Sequence, residues 1–309
     1  MASSAKSPVR RAVLPVGGRG TRMYPATAAV PKELLPIGNR PILEFALEEI
    51  AAAGIEEIVL VTAKGKSAIE DFVEDWTARR APRTRVAYVR QRSPKGLGDA
   101  ILCAQHLVAD ASFAVLLPDD VLHGQPSSLQ LLIDAHRETQ RASVLLQPIS
   151  DEETRSYGVA RIASDAGGRL WIDDLLEKPG PERAPSRFGV VGRYVLPPRI
   201  FDCLRAITPG SGGELQLTDG LARLAHVDNL VGVAMEQQRI DCGSLAGFLA
   251  AQSLLADQAD AGCVRVPTRG SPRPASASRA HAMRDDASSP IQGGERVAVA
   301  KRVVLEMQK

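Results

Sequence analysis

A short apolar run at residues 12–16 reads as a buried strand, and it stops abruptly at Gly17-Gly18. Between there and Pro36 stand Gly17, Gly18 and Gly20, the prolines Pro25, Pro31 and Pro36, and the cations Arg19, Arg22 and Lys32, with one carboxylate, Glu33. Glycines let backbone N–H groups come close to an anion, and side-chain cations complete its neutralisation. The ligand suited to such a loop is a polyphosphate. The two common glycine motifs do not fit. A dinucleotide site needs G-x-G-x-x-G opening a helix, whereas Gly18 and Gly20 are followed by Met23, and Pro25 opposes an immediate helix. A P-loop needs Gly-Lys-Ser/Thr, whereas Gly20 is followed by Thr21-Arg22.

Beyond the loop, helical and strand patterns alternate. Residues 41–53 carry helical spacing from Pro41 to a stop at Gly54, and residues 58–61 read as a buried strand. Ser67 and Glu70 have capping-box spacing and open a second helix toward Trp76. Residues 86–89 predict a strand, 97–107 a helix, and 115–117 a strand ending at Asp119-Asp120. The expectation is an α/β fold of three layers, a mostly parallel or mixed central sheet with helices on both faces. Ligands of such sheets bind beyond the carboxyl ends of the strands, where Gly17-Gly18 and Asp119-Asp120 both fall.

From about residue 141 the pattern changes. Strands are predicted at 144–148, 159–162, 170–177 and 190–196, and helices near 199–205, 217–225 and 245–259, as a mixed extension of the same sheet. No internal repeat is present. Residues 265–290 are rich in Pro, Ser, Ala and Arg and are expected to be disordered, while 297–305 are apolar enough to dock.

Charge and cysteines narrow the function. The net charge of +2 is uneven: from residue 265 onward nine Lys/Arg face four Asp/Glu, so residues 1–264 are net negative. That excludes a basic footprint for nucleic acid in the folded part. Cys103, Cys203, Cys242 and Cys263 form no C-x-x-C, which argues against a zinc site or disulfide framework and suits a reducing cytosol. No apolar run is long enough for a membrane span or a signal peptide, so a cytoplasmic protein is expected. Paired Asp at a strand end can serve as a turn or helix cap, but Asp119-Asp120 also offers the hard oxygens that Mg²⁺ requires, and the latter reading is preferred.

Taken together, G-G-x-G-T-R-x-x-P-x-T at 17–27 and P-K-E-L-L-P at 31–36 resemble the sugar-1-phosphate nucleotidyltransferases. Within that family the stretch G-T-R-M-x-P-A-T-x-A-x-P-K-E is most similar to bacterial members that join UTP and glucose 1-phosphate. The match runs to about residue 255. It implies a Rossmann-like nucleotidyltransferase domain over 1–264, with a nucleotide half at about 9–140 and a sugar half at about 141–264, followed by a basic tail at 265–309. It further implies transfer of a uridylyl group to glucose 1-phosphate by Mg²⁺-assisted in-line attack, giving UDP-glucose and pyrophosphate.

Residue by residue, the resemblance places a phosphate-gripping arginine at Arg22 and a catalytic lysine at Lys32. Gly17, Gly18, Gly20 and Thr21 fall in its nucleotide loop, with Gln91 against the uracil edge and Gly96 beside the base. Asp119, rather than Asp120, and Asp241 become the Mg²⁺ ligands. Gly158, Glu177, Lys178 and Gly192 line the sugar phosphate. Three departures stand out. Asp99 replaces the histidine of G-L-G-H, residues 76–85 lack a longer insertion implicated in assembly, and Asp241-Cys-Gly is followed by Ser-Leu-Ala-Gly rather than Asn-Lys-Leu-Gly. A homo-oligomer is expected, its state left open by the second departure. The same chemistry on another base or sugar, as in thymidylyl or guanylyl transfer, stays open, as does a catalytically weak regulatory paralogue.

Overall fold

Strand β1 (Arg11–Pro15) is buried on both sides because its residues alternate between two cores. Val13 faces one core, with Val59 and Val115 from its neighbours, and Ala12 and Leu14 face the other. The computed structural model describes residues 9–210 and 213–259. The segment 265–309, with its expected disorder and its apolar run, lies outside the described residues.

After β1 the chain forms a small hairpin, β2 (Pro36–Ile37) and β3 (Arg40–Pro41), then α1 (Ile42–Ala52), β4 (Glu57–Thr62), α2 (Ser67–Arg80) and β5 (Arg85–Arg90). There follow α3 (Leu97–Val108), β6 (Phe113–Leu116), β7 (Asp120–His123), α4 (Ser128–Thr139) and β8 (Ser143–Pro148). The remainder comprises β9 (Gly158–Ala166), β10 (Arg169–Glu177), β11 (Phe188–Leu196), α5 (Ile200–Arg205), α6 (Leu217–Val227), β12 (Leu230–Ala234), β13 (Gln238–Asp241) and α7 (Leu245–Ala259).

Nine strands form one sheet in the order β5-β4-β1-β6-β11-β8-β12-β10-β9. The run β5-β4-β1-β6 is parallel, β11 enters antiparallel between β6 and β8, and β8 pairs with β12 in parallel again. Helices α3, α5 and α6 cover one face, and α1, α2 and α4 the other. The three-layer α/β expectation holds, and the sheet is mixed where the second half joins it.

Local signals explain most boundaries. Pro41 precedes α1, which buries Ile42, Leu43, Ala46, Leu47 and Ile50, and Gly54 adopts φ of 70° where the chain turns away. The capping-box expectation fails: Ser67 is the first residue inside α2, Lys66 precedes it, and no side chain caps that end. Helix α4 was not predicted, although Ser127 caps it by accepting from Gln130 N at 3.4 Å and Leu129, Leu132 and Ile133 line one buried face. Also unforeseen is the two-stranded ladder of β7 with β13, which sets Asp241 opposite Asp120. That ladder and β2–β3 pack with α7 over a third, small core containing Ile37, Ile42, Val121 and Ile240.

Candidate active site

Pro31 closes the glycine loop and starts a single tight turn, Lys32–Leu34. Glu33 in that turn is 1% exposed, and its Oε2 accepts from Lys66 Nζ at 2.8 Å. A buried ion pair of this kind fixes geometry more than it adds stability. It pins the turn from beneath while Lys32 projects to the other side. There Lys32 Nζ donates to Asp119 Oδ2 at 2.5 Å. Burial alone would lower the Lys32 pKa, but Asp119 and Glu33 outweigh it and hold the ammonium above its ordinary range. The reciprocal effect holds for Asp119: burial would raise its pKa, and Lys32 brings it below the usual value. Both groups stay charged at neutral pH.

Asp119 and Asp120 do different work. Asp120 is buried, with Oδ2 accepting from Gly192 N at 2.9 Å and Oδ1 from Arg239 Nε at 2.6 Å. Beneath it, Arg193 is 1% exposed and donates to the carbonyls of Leu117 at 2.9 Å and Asp120 at 2.9 Å, and to Glu49 Oε2 at 2.8 Å. The Asp120 carboxylate is therefore consumed in holding the turn after β6. That leaves Asp119 facing the loop cations.

The period-two alternation of β13 sends Arg239 and Asp241 to one face of that strand. Arg239 pairs with Asp120 and lies over the Tyr157 ring at 4.6 Å. Asp241 Oδ1 accepts from Gly243 N at 2.9 Å, and its Oδ2 faces the Tyr157 hydroxyl at 3.5 Å. A Cβ placed on Gly243 would lie 2.8 Å from Asp119 Oδ2, 3.0 Å from Arg22 Nη2 and 3.0 Å from Asp241 Oδ1. Groups from positions 22, 119 and 241 thus crowd one methyl-sized space, with Lys32 attached through Asp119. The donor set suits a hard cation: two carboxylates plus substrate phosphates is the usual Mg²⁺ complement. Among the described residues no cluster of three or more His, Cys, Asp or Glu side chains could hold a metal, so further ligands would be phosphate or water oxygens. Burial pushes the neighbouring Cys242 thiol up to about 12, which removes it as a nucleophile.

On the other side of the glycine loop, Gly17, Gly18, Arg19, Lys64, Gln91 and Arg92 line a cleft of about 400 Å³. Gly17 sits against Gln91, whose Oε1 is 3.3 Å from where a Gly17 Cβ would be. Gln91 Nε2 donates to Asp99 Oδ2 at 2.7 Å and to Gly96 O at 3.2 Å. Gly96 adopts φ of 96°, and a Cβ there would fall 2.6 Å from Leu215 O, so its missing side chain admits the segment before α6. Gly20, also with positive φ, accepts at its carbonyl from Thr27 Oγ1 at 2.8 Å, and Thr21 opens the short turn that carries Arg22.

The sugar-side candidates fall into two groups. Gly158 pairs with Glu177 across β9 and β10, and a Cβ on Gly158 would lie 2.9 Å from Thr218 Oγ1 and 3.4 Å from Glu177 Oε2. Lys178 Nζ reaches Glu177 Oε1 at 2.9 Å from a left-handed backbone, φ 46°. Tyr157, beside Gly158, links this corner to Asp241. Gly192 is placed differently: it is buried, and its missing side chain admits Leu117 and the Asp120 carboxylate.

A larger hollow of about 630 Å³ near Gly54, Arg80 and Arg85 lies at the carboxyl ends of α1 and α2, where free carbonyls disfavour an anion. Residues that the sequence did not single out include Lys66, Glu49 and Arg239. Only Arg239 had a local signal, its i,i+2 spacing from Asp241.

Comparison with known proteins places the chain. A family model described as nucleotidyl transferase matches residues 11–258. A UTP–glucose-1-phosphate uridylyltransferase of Bacillus subtilis is 36% identical over 259 residues, 78% of this chain and 89% of that protein. A second of that name from Staphylococcus saprophyticus is 38% identical, covering 78% and 90%. A crystal structure of UDP-glucose pyrophosphorylase with UDP-glucose superimposes with a TM-score of 0.76 at 34% identity, over 81% of this chain and 99% of that one. A UTP-bound UGPase from Acinetobacter baumannii gives 0.71 at 34% identity, over 81% and 94%.

Proposed function

Because the chain belongs to the nucleotidyl transferase family, we propose that it transfers a uridylyl group from UTP to glucose 1-phosphate, giving UDP-glucose and pyrophosphate. The convergence of Arg22, Lys32, Asp119 and Asp241 around Gly243 carries this function at the level of residues.

A sugar 1-phosphate is anionic at neutral pH, so its oxygen attacks the α-phosphorus of UTP in line without a general base, and pyrophosphate leaves. The protein supplies position and charge. Backbone N–H groups of the Gly17-Gly18 loop face the polyphosphate. Arg22 grips its distal end, and Lys32, kept an ammonium by Asp119 and Glu33, lies where charge grows on the α-phosphoryl oxygens. Asp119 and Asp241 would hold a Mg²⁺ ion, which when bound neutralises phosphate charge. Glu177 accepts from sugar hydroxyls and Lys178 meets the sugar phosphate, their mutual 2.9 Å contact keeping both heads in one place. Gln91 and Gly17 lie beside the base.

The test is pyrophosphate release with Mg²⁺ and glucose 1-phosphate, run against UTP, dTTP, GTP, ATP and CTP, with Lys32→Ala alongside. UTP should be preferred, and the variant should lose about a hundredfold or more in kcat, the scale of removing one preorganised charge-stabilising group. Preference for another nucleotide would overturn the base assignment. Full turnover in Lys32→Ala would overturn the role of the lysine.

A further inference from the structure

A glutamine beside a base is ambidextrous: one end of its carboxamide donates two hydrogens and the other accepts. Which end faces the ligand is settled by what holds the opposite end. Gln91 is 6% exposed and lines the cleft of about 400 Å³. Its Nε2 faces two groups, the Asp99 carboxylate at 2.7 Å and the Gly96 carbonyl at 3.2 Å. A carboxylate and a carbonyl only accept, so neither can stabilise the flipped amide. Both Nε2 hydrogens are consumed. Oε1 is left on the Gly17 side, 3.3 Å from where a Gly17 Cβ would be, and receives no hydrogen bond among the described residues.

We infer that Asp99 locks Gln91 as a fixed acceptor, so that this position selects a pyrimidine whose ring N3 carries a hydrogen and rejects cytosine. This rests on the proposed function, with the base lying beside Gly17 and Gln91. Uracil and thymine present N3–H and gain a hydrogen bond from Oε1. Cytosine presents a lone pair at N3, and two acceptors then face each other at a buried Gln91, an arrangement that leaves both unpaired. A histidine at position 99, as the family resemblance would have it, donates or accepts by tautomer and imposes no such orientation. Asp99 is thus a positioning residue that acts through Gln91 and does not touch the nucleotide.

The test compares kcat/KM for UTP, CTP and dTTP in the full chain and in Asp99→Asn and Asp99→Ala, with Mg²⁺ and saturating glucose 1-phosphate. Asparagine keeps the shape but lets the pair of amides flip, and alanine removes the lock. The UTP:CTP ratio should fall about tenfold in both variants, the scale of one misdirected buried hydrogen bond. The UTP:dTTP ratio should stay within about twofold, since both bases carry N3–H. Equal loss on all three nucleotides, or an unchanged UTP:CTP ratio in variants that melt cooperatively, overturns the role of Asp99 alone. A wild-type protein that turns over no UTP removes the functional reading and this inference with it. Should Asp99→Ala fail to fold, the isosteric Asp99→Asn decides the outcome.

Discussion

Replacing Gly243 by alanine tests whether the carboxylates and the loop cations form one unit. The added methyl would sit 2.8 Å from Asp119 Oδ2 and 3.0 Å from both Arg22 Nη2 and Asp241 Oδ1, where ordinary contact begins near 3.4 Å. Asp119 must therefore retreat by roughly 0.6 Å, and Asp241 and Arg22 by about 0.4 Å each. All three clashes involve ends of side chains, and Gly243 has no positive φ, so the backbone accommodates alanine. Stability should change by less than about 1 kcal/mol, a melting shift below roughly 2–4 °C. Activity should suffer far more, because Mg²⁺ demands oxygens at about 2.0–2.1 Å in near-octahedral order. A misplacement of about 1 Å at reacting groups costs on the order of a hundredfold, so one of about half that size should cost at least about tenfold. The assay is pyrophosphate release at graded Mg²⁺, with a thermal melt on the same preparation. The expected result is a raised Mg²⁺ half-saturation and a fall of about ten- to a hundredfold in kcat/KM, at nearly unchanged melting temperature. Wild-type turnover and wild-type Mg²⁺ dependence in Gly243→Ala would refute the convergence of these groups as the working site.

Two further outcomes follow from the scaffold. Arg193→Met leaves the Glu49 carboxylate without its cation in a nearly buried place and takes one donor from each of the Leu117 and Asp120 carbonyls, so unfolding in urea should show a loss of about 3–5 kcal/mol. A loss below about 1 kcal/mol would show that the cradle under Asp119 is held by other contacts. His136 is buried with Nδ1 at 2.6 Å from Arg141 O, and burial pushes its pKa below the ordinary 6.5 in spite of that carbonyl. The unfolded chain therefore binds the proton first, and stability falls as pH drops below 6.5 toward the folded value. His136→Gln should flatten that acid slope in melting temperature, and an unchanged slope would assign it to other groups.

Much of this protein is local in origin. The strand that breaks at Gly17-Gly18, the helix framed by Pro41 and Gly54, and the alternation down to Asp119 follow from periodicity and turn chemistry within a few residues. That the loop after β1 and the turn at Asp119-Asp120 belong to a ligand site was legible for the same reason, since both fall at strand ends where such a sheet opens to ligands. The choice of Arg22 and Lys32 within the loop came from resemblance. The preference for Asp119 over Asp120 also rested on resemblance, and its physical support is tertiary. Asp120 is occupied by Gly192 and Arg239, more than seventy residues away. The antiparallel entry of β11, the β7–β13 ladder, the Arg193 cradle and the Glu33–Lys66 pair likewise join distant segments.

Gly192 shows the limit most plainly. Its place in the motif suggested a wall of the sugar site, while in the fold it is the gap that admits Leu117 and Asp120. By itself the sequence determined most element types and the three-layer class and pointed to a polyphosphate ligand, because backbone preference, hydrophobic period and charge act over short spans. Only the tertiary structure decided which carboxylate faces the loop cations, which way Gln91 points and which glycines make room, because each depends on what a distant segment places against it.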